Sequence, residues 1–229
     1  MTQKYTILFD LDGTLVDTAP DLMGAHNHVM KKYGYPTKST EEIRNLVGQG
    51  AGAMIGRSIW GQAKEEFGKI NDQKIKDEMV KEFIDFYGKN IINESTLITG
   101  VIEFLKWCKD KKISMAVCTN KQEHLAIDLL KKIGIYDYFE YVAGVNTFNY
   151  CKPDPRHLTS ILEILDGDLK RSLMFGDSET DANAARAASI PVILLENGYT
   201  EKNTNEIYHN HLIKDFIGVE KIVSTYLKD

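Results

Sequence analysis

Short apolar runs punctuate the chain near its start and through its second half: YTILF at 5–9, ISMAVCT at 113–119, YVAG at 141–144, SLMFGD at 172–177 and PVILL at 191–195. They are near-continuous rather than alternating, the pattern of strands buried on both faces of a parallel sheet. Helical periodicities lie between them. In VIEFLKWCKDKK, 101–112, Val101, Phe104, Leu105 and Cys108 share one side, and the closing lysines complement the negative end of a helix dipole. In EHLAIDLLKKIG, 123–134, Leu125, Leu129, Leu130 and Ile133 share a face and Gly134 offers a C-terminal cap. Strands alternating with helices predict an α/β fold built on a doubly wound parallel sheet. Ligands in such sheets gather at the carboxyl ends of the strands.

The stretch from 17 to 86 has a different texture. Leu22, His26, Val29, Met30 and Tyr33 follow helical spacing, as do Ile75, Met79, Phe83 and Phe86, and nothing in it reads as a strand. The expectation is an all-helical insertion (17–86) placed after the first strand of a core made from 1–16 and 87–229. A glycine-rich interval, NLVGQGAGAMIG at 45–56, breaks the insertion in its middle. His26 reads as a packing residue of a helix and His28 as a surface one.

Composition removes several classes of function. The chain has 229 residues, 28 basic and 33 acidic side chains and a net charge of -5, which gives no footing for a nucleic-acid or membrane-surface partner. Cys108, Cys118 and Cys151 show no CxxC spacing, so a disulfide framework or a zinc site is not expected, and scattered reduced thiols fit a cytoplasmic protein. The opening MTQKYTILFD lacks a signal-peptide pattern, and no run approaches the roughly 18 apolar residues of a membrane span.

Candidate chemistry sits where the predicted strands end. Asp10 and Asp12, in FDLDGT, point to the same side by strand alternation, and a carboxylate on a strand tip can be a nucleophile or a ligand for a hard cation such as Mg2+. Thr119 and Asn120, in VCTNK, offer a hydroxyl and an N–H; Lys152, in CKPDP, is set on a loop by the proline that follows it. Asp177 ends another run in GDSETDANAARAAS, with Ser178 as a helix cap and Asp181 three residues on. Taken singly, the acids are ordinary turn or cap residues, Thr119 a strand end and Lys152 a solvated loop residue. All four together, each at the end of its own element and in this order, have no such explanation.

The set D-x-D, T-N, K-P and G-D-x-x-x-D resembles the haloacid dehalogenase superfamily, in the branch that carries a helical cap on a Rossmann-like core. Within that branch FDLDGTLVDTAPDL, VGQGA, VCTNK, CKPDP, MFGDSETD and the late NGY at 197–199 are most similar to the phosphoglycolate phosphatases. The pattern departs at ITGV, 98–101, where Pro-Gly is usual, and at Ser189-Ile190, where Ala-Gly often stands. The resemblance implies a Mg2+-dependent phosphomonoester hydrolase acting on a small phosphorylated metabolite, 2-phosphoglycolate foremost, as a monomer or homodimer. It implies that Asp10 is the nucleophile, that Asp12 is the acid and base, and that Thr119, Asn120 and Lys152 hold the phosphoryl oxygens. Asp10, the Asp12 carbonyl and Asp177 would hold the metal, and Asp181 would orient groups around it. Gly48, Gln49 and Gly50 of the cap are candidates to meet the rest of the substrate, and Arg57 is either a further partner for a carboxylate or a solvated helix residue.

Related chemistries divide on the same residues. A dehalogenase has no use for the Asp12 and Asp177 pair, and a phosphonatase would need a cap lysine, for which Lys31 and Lys32 stand out in no way. Phosphatases for pyrophosphate, sugar phosphates or nucleotides share the core, as does a sugar-phosphate mutase. A phospho-accepting receiver module, which does not turn over, would place its acids adjacent and its phosphorylated Asp on a later strand.

Overall fold

The computed structural model describes residues 4–60 and 70–227; the stretch 61–69 of the expected insertion lies outside the described residues, as do 1–3 and 228–229. The chain enters through β1 (Thr6–Phe9) and, after the turn at Gly13, forms β2 (Val16–Asp17). Among the described residues four helices follow: α1 (Ala19–Tyr33), α2 (Thr40–Arg44), α3 (Ala51–Trp60) and α4 (Ile70–Lys89). The chain returns through β3 (Thr96–Leu97), which pairs antiparallel with β2, and continues as α5 (Val101–Asp110), β4 (Ser114–Cys118), α6 (Glu123–Ile133) and β5 (Tyr141–Ala143). It ends with α7 (Arg156–Ile164), β6 (Ser172–Gly176), α8 (Glu179–Ala187), β7 (Val192–Leu195), β8 (His211–Ile213) and α9 (Val219–Tyr226).

Six strands make a parallel sheet in the order β5-β4-β1-β6-β7-β8, so the strand with the paired acids at its tip runs through the middle. Alternation along each strand divides the core in two. Ile7, Phe9, Val117 and Phe175 enter the layer with α5, α6 and α9, while Leu8, Cys118 and Met174 meet α7 and the alanines Ala182, Ala184, Ala185 and Ala188 in and after α8. Phe9 stacks on Phe175 at 5.3 Å, and Phe104 meets both Phe175 and Phe216 at 5.4 Å. Each such fully buried side chain stabilises the fold by about 1.5–3 kcal/mol.

Apart from Asp17, the last residue of β2, the regular structure described in the insertion is helical, with non-helical connections at 34–39 and 45–50. Its α4 packs on both α1 and α3, with Met79, Phe83 and Tyr87 buried. Gly34 and Gly134 close α1 and α6 in the left-handed conformation. The β2–β3 pair through which the chain leaves and re-enters the core is two residues long on each side, too short to register as a hydrophobic pattern. The same holds for β8, three residues at the sheet edge. Among the described residues, no helix is long and apolar enough to cross a membrane.

Candidate active site

The tips of three central strands converge. The Asp10 N–H continues the ladder beyond β1 by donating to the Phe175 carbonyl at 2.8 Å, and Thr119 does the same beyond β4 with Ala143 at 2.9 Å. These bonds fix the backbones whose side chains project above the sheet. Carboxylate oxygens of Asp10, Asp177 and Asp181 all lie within 4.8 Å of one another, and all three residues are buried. The Lys152 ammonium stands among them, 2.9 Å from Asp10 Oδ1 and 2.6 Å from Asp181 Oδ1. Lys152 is on a loop, as its proline predicts, yet its side chain is only 1% exposed.

One ammonium among three buried acids leaves an excess of negative charge. Burial pushes the Asp10 carboxyl up to about 7, against the pull of Lys152 and with the push of Asp181 and Asp12. Burial, with Asp181 and Asp10, holds Asp177 well above the usual carboxylate range. Lys152 is opposed by burial but held above its ordinary value by Asp10 and Asp181. Asp10 Oδ1 is buried with the Lys152 ammonium as its close partner. Clustered carboxylate oxygens with surplus negative charge are what a small hard divalent cation requires, so the residues present fit Mg2+.

Asp181 differs from the other two. Its Oδ2 accepts from the N–H groups of Asp177 and Ser178, each at 3.1 Å, and from the Ser178 hydroxyl at 2.9 Å, while Oδ1 takes Lys152. All its hydrogen-bonding goes into holding neighbours. The serine spends its hydroxyl on Asp181 rather than on capping α8 alone.

Two glycines make this crowding possible. Gly13 has φ +78, and a Cβ there would stand 2.1 Å from Asp177 Oδ2; a Cβ on Gly198 would stand 1.8 Å from the Asp177 carbonyl.

Asp12 borders the same cavity as Asp10 but has its own partners. It accepts from the Thr18 hydroxyl at 2.6 Å and from Lys121 Nζ at 2.7 and 3.0 Å. Asn120 donates its side-chain amide to Gly48 at 3.1 Å and to the Lys152 carbonyl at 2.9 Å, tying the glycine-rich loop to the lysine loop. The Lys152 N–H donates to His157 Nδ1 at 3.2 Å, and burial pushes that imidazole down to about 4, with Lys152 adding to the effect.

A cavity of about 210 Å³ opens beside these groups, bordered by Asp10, Asp12, Thr119 and Asn120 below and by Gly48, Gln49 and Gly50 above. Its remaining upper wall is apolar, with Val47, Met54, Val80, Phe83 and Tyr87. Arg57 does not border it: its guanidinium donates to the Leu46 carbonyl and lies 3.4 Å from Glu201. Lys31 and Lys32 do not border it either; Lys32 pairs with Glu82 at 2.6 Å. His26 is fully buried against Ser58, whereas His28 is 42% exposed.

Comparison with protein families matches residues 7–195 to the family described as haloacid dehalogenase-like hydrolase. The chain belongs to this family. It is similar to the hydrolase named phosphoglycolate phosphatase of Mesorhizobium japonicum, with 38% identity over 210 residues covering 92% of this chain and 90% of the relative. The Agrobacterium fabrum phosphoglycolate phosphatase is 39% identical over 222 residues, covering 95% and 93%. A crystal structure described as a predicted phosphoglycolate phosphatase from Haemophilus somnus superposes with a TM-score of 0.87 at 30% identity, covering 97% and 99%. A β-phosphoglucomutase from Clostridium difficile shares the fold at 21% identity and a TM-score of 0.78.

Three residues of this hydrolase's site carry no assignment from the motifs: Thr18, Lys121 and Tyr199. Lys121 was visible as the last letter of VCTNK, a lysine just beyond a buried strand, and Tyr199 as the end of NGY. Tyr199 is 1% exposed and links distant parts of the chain. Its N–H donates to Asp177 Oδ2 at 2.6 Å, its hydroxyl donates to Asp17 Oδ1 at 2.5 Å, and the phenolic oxygen of Tyr199 accepts from the N–H groups of Thr18 and Ala19 at 2.8 and 2.9 Å. Thr18 precedes α1 but gives its hydroxyl to Asp12, so the phenol of Tyr199 serves as the cap of that helix.

Proposed function

We propose that the chain is a Mg2+-dependent phosphomonoester hydrolase that works through an aspartyl-phosphate on Asp10, with 2-phosphoglycolate as its substrate and glycolate and phosphate as its products. The observation that carries this reading is the buried group of Asp10, Asp177, Asp181 and Lys152 at the strand tips, with Asp12 beside it. The substrate assignment draws on the similarity to the named phosphoglycolate phosphatases.

Asp10 and Asp177, with the Asp12 carbonyl, would hold Mg2+, which supplies positive charge against the carboxylates and the phosphoryl oxygens. An Asp10 oxygen attacks phosphorus and the ester P–O bond breaks. Asp12 gives its proton to the departing oxygen, then takes one from the water that attacks phosphorus and frees Asp10. Thr119, the Asn120 N–H and Lys152 meet the equatorial oxygens, where position and charge supply most of the stabilisation. Asp181 orients Lys152. The helical insertion (17–86, as a cap domain) covers the cavity and excludes water, and Gly48, Gln49 and Gly50 face the leaving group.

The deciding experiment is a kcat/KM panel with Mg2+ over 2-phosphoglycolate, pyrophosphate, hexose phosphates and nucleoside monophosphates. The substrate reading expects 2-phosphoglycolate among the best, and a poor rank for it removes that assignment while leaving the class. Absence of multiple turnover of an aryl phosphate, relative to an EDTA-treated control, removes the class.

A further inference from the structure

Lys121 is the one cationic side chain among the described residues that border the cavity. Lys152 is enclosed by Asp10 and Asp181, and Arg57 is engaged at Leu46 and Glu201. The Lys121 side chain is 5% exposed, and its ammonium lies 4.4 Å from the centroid of the Tyr87 ring in addition to its contacts with both Asp12 oxygens. Of the remaining lining, Gln49 and Gln122 carry neutral amides and Val47, Met54, Val80 and Phe83 are apolar, so none of these side chains offers a charged leaving group an opposite charge.

We propose that Lys121 is the specificity-determining cation, which selects phosphate esters whose leaving group carries a carboxylate one carbon from the ester oxygen. The proposal deepens the 2-phosphoglycolate reading and rests on it. The geometry follows from the position of Asp12. An ester oxygen that takes a proton from Asp12 must lie about 3 Å from its carboxyl. Lys121 Nζ is 2.7 Å from Asp12 Oδ1. In an ester of a 2-hydroxy acid the carboxyl carbon is only two bonds beyond the ester oxygen, so its oxygens can reach contact distance of that ammonium. A neutral leaving group makes no such pair. A longer acid carries its charge past Lys121 into the apolar wall, where a buried unpaired carboxylate is costly.

The test compares 2-phosphoglycolate with ethyl phosphate and with the phosphate ester of glycolamide. These neutral counterparts need the same protonation of an alkoxide, so any effect of Lys121 acting through Asp12 is common to all three. The quantity read is the ratio of kcat/KM for the acid to that for each neutral ester. Lys121→Met should lower this ratio about 100-fold, the scale expected when one partner of a buried charge pair is removed. Lys121→Arg should retain the ratio to within about tenfold, since the charge remains. Equal losses for acid and neutral esters would overturn the proposal and leave Lys121 as a residue that only positions Asp12. A wild-type enzyme that does not prefer 2-phosphoglycolate overturns the substrate reading itself, and is recognised before any variant is made. Should Lys121→Met turn over every ester too slowly to measure, calorimetric binding of the same esters to Asp10→Asn and to Asp10→Asn/Lys121→Met reads the same ratio, and an unchanged ratio there again overturns the proposal.

Discussion

Removing a single oxygen from Tyr199 tests the join between the insertion and the core. In Tyr199→Phe the ring stays in place and the backbone N–H still reaches Asp177, so the change is confined to the hydroxyl. That hydroxyl holds three partners: it donates to Asp17 Oδ1 and accepts from the Thr18 and Ala19 N–H groups. Asp17 keeps Arg44 at 2.6 Å, so its loss is small. The Thr18 N–H loses its acceptor at a buried position, whereas the Ala19 N–H keeps a long bond to Asp17 Oδ1 at 3.4 Å, so one donor is orphaned and one weakened. An orphaned buried donor costs about 1–3 kcal/mol, and the expected destabilisation is of that size, more than a surface substitution. With a urea m-value near 2 kcal/mol/M the midpoint falls by about 0.5–1.5 M. Hydrogen exchange should quicken at the Thr18 and Ala19 amides while the sheet amides next to β1 keep their relative order of protection. A midpoint shift below about 0.3 M at constant m, with those two amides unchanged, would refute the role of the phenol as the cap of α1.

Other expectations follow from the same site. Asp10→Asn is isosteric and removes the nucleophile, so phosphate release should fall to background while urea unfolding stays near or above wild type, the buried carboxylate being costly in the protein; substantial residual turnover would contradict the nucleophile assignment. Gly13→Ala places a methyl 2.1 Å from Asp177 Oδ2 at φ +78, and should cut Mg2+-dependent turnover at least about 100-fold and raise the Mg2+ concentration needed, as read by activity and calorimetric titration. His157 gives a pH signature. The native imidazole stays neutral down to about 4, whereas an unfolded histidine takes a proton below about 6.5. Between those values the unfolded chain binds the extra proton, so the stability that His157 contributes is complete above about pH 6.5 and is lost as pH falls toward 4. Between about pH 7 and about pH 5 this amounts to about 2 kcal/mol, and urea midpoints for wild type and His157→Gln should converge by that amount as the pH is lowered.

The sequence by itself determined the sheet and the inventory of reactive groups. Runs such as TILF and SLMFG are apolar at every position, and only a strand covered on both faces can bury them, so their assignment needed no tertiary information. Asp10, Thr119 and Asp177 were legible because each directly follows such a run, where the chain has no packing reason to place them, and Lys152 because the proline after it sets it on a loop. Tertiary structure decided the rest. The β2–β3 pair and β8 are too short to carry a period, and exist because a neighbour supplies their hydrogen bonds. The enclosure of Lys152, whose loop position alone suggested exposure, comes from Asp10 at the end of β1 and Asp181 in the first turn of α8 closing on it. Arg57, a reasonable partner for a carboxylate on charge alone, is engaged elsewhere by a carbonyl eleven residues back and by Glu201. Tyr199 and Lys121 acquire meaning only from contacts across 181 and 109 residues of chain. A local pattern records which face of an element is buried, but which distant group stands opposite a side chain is set by how the layers stack.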